Sequence, residues 1–251
     1  MSFYVKFISY ILSSIYMLVF GLLLVIFHGL LWLGTTLGGR EGLHRVANAL
    51  QISLMYAHLI LGVRYQLRNR FTFDTDKPLI IVSNHQSMND IPPLIWMFRK
   101  HYPKFISKKE LGKGIPSISY HLRKSGAALI DRTNQKQAIA EIIRFAKLIA
   151  ENKYAGIIFP EGTRSRTGIP KPFKTTGLEV LFKYIPNAQI VPVTINNSWK
   201  TTKYGKFPLG LGAKITLETH EPILLSDYQK NNYNELIATL EKIVTSKIIT
   251  A

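Results

Sequence analysis

Between Lys6 and Arg40 the chain carries no Lys, Arg, Asp or Glu, and Phe7 to Leu33 is dense in Ile, Leu, Val, Phe and Tyr. A run of this length can cross a bilayer or lie deep within one, and few soluble domains tolerate it. A cleaved signal peptide is the rival reading. The apolar stretch exceeds a normal h-region, its leading charge is Lys6 alone, and no small-x-small cleavage site follows. After Gly38-Gly39 a second apolar pattern runs from Leu43 to Val63, interrupted by Arg45, Asn48, Gln51 and His58, as in an interfacial helix or a hairpin partner. A two-helix membrane anchor over residues 1–63 is therefore expected. Lys6, Arg40 and Arg45 give the positive-inside rule too little contrast to decide whether it spans or is one-sided.

From Arg64 the composition becomes that of a soluble domain, and residues 64–251 are read as one catalytic unit. Short apolar runs at Leu79–Ser83, Phe105–Ser107, Ala127–Ile130, Gly156–Phe159, Ile190–Ile195 and Ala213–Leu217 read as buried strands. Helical patterns separate them, the clearest at Asn134–Ala150 behind Thr133 as cap and at Asn232–Ile249. This alternation predicts an α/β fold, a largely parallel sheet flanked by helices, with ligands gathering where strands end in loops. The chain has no cysteine, which excludes disulfides, thiolate metal sites and a cysteine nucleophile. With 32 Lys and Arg against 15 Asp and Glu, the net charge of +17 implies an anionic partner: nucleic acid, acidic lipid or a phosphorylated substrate. The apolar N-terminus favours lipid over nucleic acid.

Two strand-end loops carry the candidate chemistry. The first reads Asn84-His85-Gln86-Ser87-Met88-Asn89-Asp90, followed by Pro92-Pro93, which suit the opening turn of a helix. Across such a turn the Asp90 carboxylate can accept one imidazole N–H of His85, leaving the other nitrogen free as a general base. The plainer alternative is that Asp90 or Asn89 caps the helix and His85 is a loop histidine. The second loop reads Pro160-Glu161-Gly162-Thr163-Arg164-Ser165-Arg166. Gly162 permits close backbone approach, Thr163 and Ser165 offer hydroxyls, and Arg164 offers a planar fork for phosphate oxygens. An ordinary polar turn would share this composition.

Together these loops resemble the glycerolipid acyltransferase family typified by 1-acylglycerol-3-phosphate acyltransferases. NHQSMND matches that family's Asn-His-x4-Asp block, and FPEGTRS matches its second signature. Between them, Phe105–Leu111, including Lys108 and Lys109, and Gly126–Arg132 resemble its intermediate block, which ends in the acceptor-binding arginine, here Arg132. Ile190-Val191-Pro192-Val193 resembles the last block, so four blocks stand in order over residues 79 to 195. The family places one residue between its Phe-Lys pair and the next glycine, whereas here Phe173-Lys174 is followed by Thr175-Thr176-Gly177. The stretch from Asn196 to Gly212 matches no block, and its interleaved aromatic and basic residues suit a membrane interface or a solvated loop equally.

The resemblance implies transfer of a fatty acyl group from an acyl thioester to the free hydroxyl of lysophosphatidate, at sn-2, giving phosphatidate. His85 and Asp90 are then catalytic. Arg132, Gly162, Thr163 and Arg164 hold the acceptor phosphate, Glu161 belonging to the same phosphate-binding set by organising the arginines or neighbouring amides, with Asn84, Ser165, Lys108 and Lys109 in support. Direct transfer calls for neither metal nor cofactor, acyl-CoA or acyl-carrier protein being a co-substrate. Expected partners are a membrane lipid acceptor, the thioester donor and an anionic membrane surface, with no nucleic acid. The expected location is the membrane, the catalytic domain on its cytoplasmic face. Ser87 and Ser165 lie outside any Gly-x-Ser-x-Gly elbow, which disfavours an acyl-serine route. Another lysolipid or an aminolipid as acceptor, or a thioesterase or hydrolase using the same His/Asp pair, are the alternative activities. The basic residues Lys100, Lys104, Lys108, Lys109, Lys113, Arg123 and Lys124 form a further candidate surface for lipid headgroups or CoA phosphates.

Overall fold

The computed structural model describes residues 3–228 and 233–249. Helix α1, Phe3–Ala57, is helical throughout except at Gly39, whose φ of 55° and ψ of −134° break it. The arms 3–38 and 40–57 fold back on one another. At Gly42 a Cβ would stand 2.0 Å from the Gly34 carbonyl oxygen, so the two backbones touch there. Further along, the Tyr16 hydroxyl lies 3.0 Å from His58 Nε2, and Leu24, Leu31, Leu43, Leu50 and Leu54 fill the seam. The outer face of the first arm stays bare: Leu18 is 65% exposed, Val25 62% and Trp32 58%.

Among the described residues, eight strands form one sheet. In chain order they are β1 (Arg64–Arg68), β2 (Leu79–Ser83), β3 (Lys104–Lys108), β4 (Ala128–Ile130), β5 (Ala155–Ile158), β6 (Gln189–Asn196), β7 (Lys214–Thr219) and β8 (Ile223–Leu224). The spatial order is β1-β7-β6-β2-β5-β3-β4, with β8 pairing β6. β2 lies at the centre and runs parallel to both neighbours, Ile81 opposite Ile157 on β5 and Val191 on β6. β6 pairs antiparallel with β7 and β8, so the sheet is largely parallel, as expected. β1 and β8 carry no buried run that marks them in the sequence. β1, Arg-Tyr-Gln-Leu-Arg, is an edge strand with no fully buried residue, and so lacks the continuous apolar run of a buried strand.

Alternation along β2 assigns its side chains to two cores. Ile80 and Val82 pack with α4 (Gln135–Asn152), α5 (Thr175–Tyr184) and α6 (Tyr233–Ser246) through Phe145, Leu181 and Leu240. Leu79 and Ile81 face α2 (Ile91–Met97) and the helical arms, meeting Leu94 and Tyr16. Each such buried side chain contributes roughly 1.5–3 kcal/mol. The remaining helix, α3 (Ile118–Ser125), leads into β4. The cap of α4 is Asn134, whose side chain accepts the Gln137 N–H at 3.0 Å. Thr133, expected in that role, instead donates its hydroxyl to Asp131 at 2.6 Å. α6 begins at Tyr233; Asn232, where the last helix was expected to start, lies outside the described residues.

Candidate active site

Strands β2, β5, β3 and β4 are successive neighbours and run parallel, so their C-terminal ends share one edge. His85 follows β2, Arg164 follows β5, Lys108 closes β3 and Arg132 follows β4. The fold thereby collects on one edge residues spread over eighty positions, at the place where open α/β sheets bind ligands.

His85 Nδ1 donates to Asp90 Oδ2 at 2.7 Å. Its Nε2 has no hydrogen-bond partner among the described residues, so the ring presents a lone pair outward. Asp90 is fully buried, and its Oδ2 also accepts the Gln86 and Ser87 amides at 2.7 and 2.9 Å. Its other oxygen accepts the Ser198 hydroxyl. The cap is Ser87, not Asp90 or Asn89: Ser87 caps the turn Met88–Asp90 by accepting the Asn89 amide, Asp90 closes the capping box from the third position, and Asp90 makes no side-chain cap bond to the helix that follows. One carboxylate thus shapes the turn and orients the imidazole. Phe159 stacks on the His85 ring at 4.1 Å and 15°, fixing its plane.

The second loop clamps the first by both backbone groups of His85. Glu161 Oε1 accepts the His85 amide at 2.7 Å, and the Ser165 amide donates to the His85 carbonyl at 2.7 Å. Glu161 Oε2 accepts the Lys171 amide at 2.9 Å. Each Glu161 oxygen accepts a backbone amide and the residue is 2% exposed, so it braces the two loops from within. Burial raises its carboxyl above the ordinary range, against the downward pull of the two amides.

Arg132 and Arg164 are exposed, and among the described residues no hydrogen bond or ion pair engages either guanidinium. The strands they follow, β4 and β5, lie two places apart in the sheet, about 10 Å between axes. Thr163 is also exposed. Gly162 turns at φ +69°, and a Cβ there would stand 3.3 Å from Lys174 Cδ, so the Lys174 chain lies against this turn. The supporting residues divide. Asn84 pins β2 to β6 by reciprocal bonds with the Ile195 backbone at 2.8 and 2.7 Å. Ser165 spends its hydroxyl on the Ile169 carbonyl, and Ser87 is 1% exposed, so neither serine is presented as a nucleophile. Lys108 pairs with Glu110 at 3.2 Å, and Lys109 is exposed beside it.

The segment that matched no block proves to back the dyad. In the turn Ser198–Thr202, the Ser198 amide donates to Gln86 Oε1 at 3.0 Å while its hydroxyl reaches Asp90, and Thr201 accepts from Asn89 at 2.8 Å. Nothing in the sequence signals this, since Ser198 lies 108 positions beyond Asp90. The seven basic residues do not form one surface: Lys104 is only 6% exposed, and Arg123 donates to the Gly112 carbonyl.

A family model described as Acyltransferase matches residues 64–196. The chain is 31% identical over 174 residues to a 1-acyl-sn-glycerol-3-phosphate acyltransferase of Borreliella burgdorferi, covering 68% of each. With the alpha enzyme of that name from Ovis aries it shares 26% identity over 148 residues, 59% of this chain and 50% of the relative. The chain thus spans about half the length of several curated relatives. The crystal structure of the 1-acyl-sn-glycerophosphate acyltransferase of Thermotoga maritima superposes with a TM-score of 0.77 at 25% identity, covering 95% of this chain and 93% of that one.

Proposed function

Because the chain belongs to the acyltransferase family, we propose that it transfers a fatty acyl group from an acyl thioester to the sn-2 hydroxyl of lysophosphatidate. The observation that carries this reading is the pairing of an oriented imidazole, His85 Nδ1 on Asp90 at 2.7 Å, with unengaged arginines on the same sheet edge. His85 Nε2 takes the acceptor hydroxyl proton as that oxygen attacks the thioester carbonyl. The C–S bond breaks, the proton passes from His85 to the leaving thiolate, and ester and free thiol depart. No acyl-enzyme is needed. Arg164 and Arg132, with the Gly162-Thr163 turn, hold the acceptor phosphate and thereby place the hydroxyl at His85.

The bare apolar face of the first helical arm seats the protein in the membrane, so acceptor lipid arrives from the bilayer. The net charge of +17 favours the anionic cytoplasmic face for the catalytic domain. The donor is acyl-CoA or acyl-carrier protein, and the chemistry asks for no cofactor or metal. The test is an assay of purified full-length protein with labelled acyl thioester and a panel of lysolipids, with product counted with and without acceptor. Acceptor-dependent phosphatidate is the expected result. Release of free fatty acid at the same rate without acceptor would make the protein a hydrolase and end this reading.

A further inference from the structure

The first helical arm carries no Lys, Arg, Asp or Glu after Lys6, yet two of its serines, Ser9 and Ser13, are fully buried. They stand one helical turn apart, and with the buried Tyr16 they repeat at the spacing that defines one helix face, the face turned toward the catalytic domain. Both hydroxyls go to a single residue of that domain. Ser9 donates to the Leu209 carbonyl at 2.6 Å, and Ser13 accepts the Leu209 amide at 2.8 Å. Ser14, next along the helix, is exposed and donates to the Tyr10 carbonyl of its own helix at 3.0 Å. Leu12, Val19 and Leu23 already pack the arm on the sheet core, so the two buried serines fix something narrower, the position of one peptide segment.

From Leu209 a chain of short bonds leads to the dyad. The Gly210 amide donates to the Thr201 carbonyl at 2.8 Å. A Cβ at Gly210 would run into the Lys200 carbonyl oxygen, so this segment and the turn Ser198–Thr202 are in backbone contact. Thr201 donates its hydroxyl to the Ser198 carbonyl at 2.6 Å and accepts the Asn89 carboxamide at 2.8 Å. The Ser198 hydroxyl ends the chain on Asp90 Oδ1, while Oδ2 of the same carboxylate holds His85. Every residue on this path from the serines to Asp90 is buried, so solvent does not readily replace a lost partner.

We propose that Ser9 and Ser13 are positioning residues of the acyl transfer: by fixing Leu209 they fix the turn Ser198–Thr202, and through Ser198 the carboxylate that aims His85. The first arm then sets the geometry of the base as well as seating the protein in the membrane. This inference rests on the acyl-transfer reading above. The plainer role, in which the serines only satisfy the buried backbone of Leu209, would cost stability and leave the turnover of folded protein unchanged.

The test uses full-length protein in zwitterionic detergent and compares Ser9→Ala/Ser13→Ala with Ser14→Ala, the exposed control on the same arm. The double variant should lose kcat by roughly fivefold or more with KM changed less than about twofold, while Ser14→Ala matches wild type. Because the effect runs through Ser198, adding both alanines to Ser198→Ala should lower kcat by less than about a further twofold. Binding to phosphatidylcholine vesicles should be the same for all variants. Amide exchange in peptides spanning residues 84–90 and 198–210 should be faster in the double variant than in wild type or Ser14→Ala, a readout independent of catalysis. Should the double variant fail to fold, Ser13→Ala alone should show the same pattern with a kcat loss of roughly twofold or more. Unchanged kcat in the folded variant, a loss that multiplies with that of Ser198→Ala, weaker vesicle binding in proportion to the kcat loss, or exchange unchanged at residues 84–90 would each overturn the relay. Faster exchange at 84–90 in the variant, with no acyl transfer by wild type, would instead overturn the proposed function and leave the relay standing.

Discussion

The loops after β2 and β5 are neighbours on one edge of the sheet, yet they use their polar groups in opposite ways. Around His85 nearly every group is engaged: Asp90 accepts from four donors, and the His85 amide and carbonyl are both clamped by the second loop. On the second loop the brace, Glu161, is buried with an amide on each oxygen, while Arg164 and Thr163 stand exposed. A proton-transfer group must be in place before substrate arrives, since misplacement of about 1 Å costs rate. A phosphate-binding group must keep its donors open for the ligand. The comparison teaches that rigidity and availability are assigned residue by residue within one site, and it separates mutations that change turnover from those that change recognition.

The largest expected effect tests the rigid side. His85→Ala removes the base and should lower kcat by roughly a hundredfold or more, leaving acceptor binding nearly intact. Single-turnover rates and equilibrium binding of lysophosphatidate measure the two quantities separately; near-normal turnover in the variant would refute the mechanism. Next comes the open side. Arg164→Lys keeps the charge but loses the fork, and transition-state stabilisation should fall by about 2 kcal/mol with a phosphomonoester acceptor. With a choline or ethanolamine diester the loss should be smaller, read as kcat/KM at fixed donor and ionic strength. Equal losses on both acceptors would place Arg164 on the donor or in the fold.

What could be read from the sequence follows the same division between local and distant. The loop residues 84 to 90 and 160 to 166 are contiguous, so spacing alone brings His85 to Asp90 and sets the arginine turn beside a buried strand. The central strands were legible because β2, from Leu79 to Ser83, is buried at every position. β1 is not legible, because an edge strand needs no apolar run, and Thr133 and Asn134 are equally good cap residues by type, of which Asn134 makes the cap bond. Which amides Glu161 would meet, those of His85 and Lys171, and that Lys104 would be buried, were hidden for a different reason. A carboxylate or an ammonium looks the same in a sequence whether it faces solvent or backbone amides, and only the packing of distant elements decides.

Ser198 sharpens the comparison from outside both loops. It is the donor to the Asp90 oxygen that the first loop leaves free. Ser198→Ala should loosen the carboxylate without removing the base, lowering kcat by roughly tenfold with KM little changed, in keeping with a single lost hydrogen bond to a charged group. Ser198→Thr keeps the hydroxyl and should recover part of the loss. A KM effect equal to the kcat effect, or no recovery in the threonine variant, would show that the turn Ser198–Thr202 merely fills space.

The smallest effect concerns Glu161 and is visible in stability. Burial holds its carboxyl above the ordinary value of about 4.3, so the folded state favours the protonated form more than the unfolded chain does. Its contribution to stability is therefore full below the ordinary value and is lost as pH rises through the raised folded value. Glu161→Gln cannot titrate. It keeps one acceptor oxygen for the amides of His85 and Lys171 and turns an NH2 on the other, which adds a penalty independent of pH. Variant and wild type share every other titrating group, so those contributions largely cancel in the difference. Unfolding by urea in detergent, measured near pH 4 and near pH 7, should show the advantage of wild type over Glu161→Gln shrinking at the higher pH. An advantage that grows with pH would mean the two amides outweigh burial, and the brace between the loops would then depend on the carboxylate charge, making the rigid half of the site an electrostatic construction as much as a geometric one.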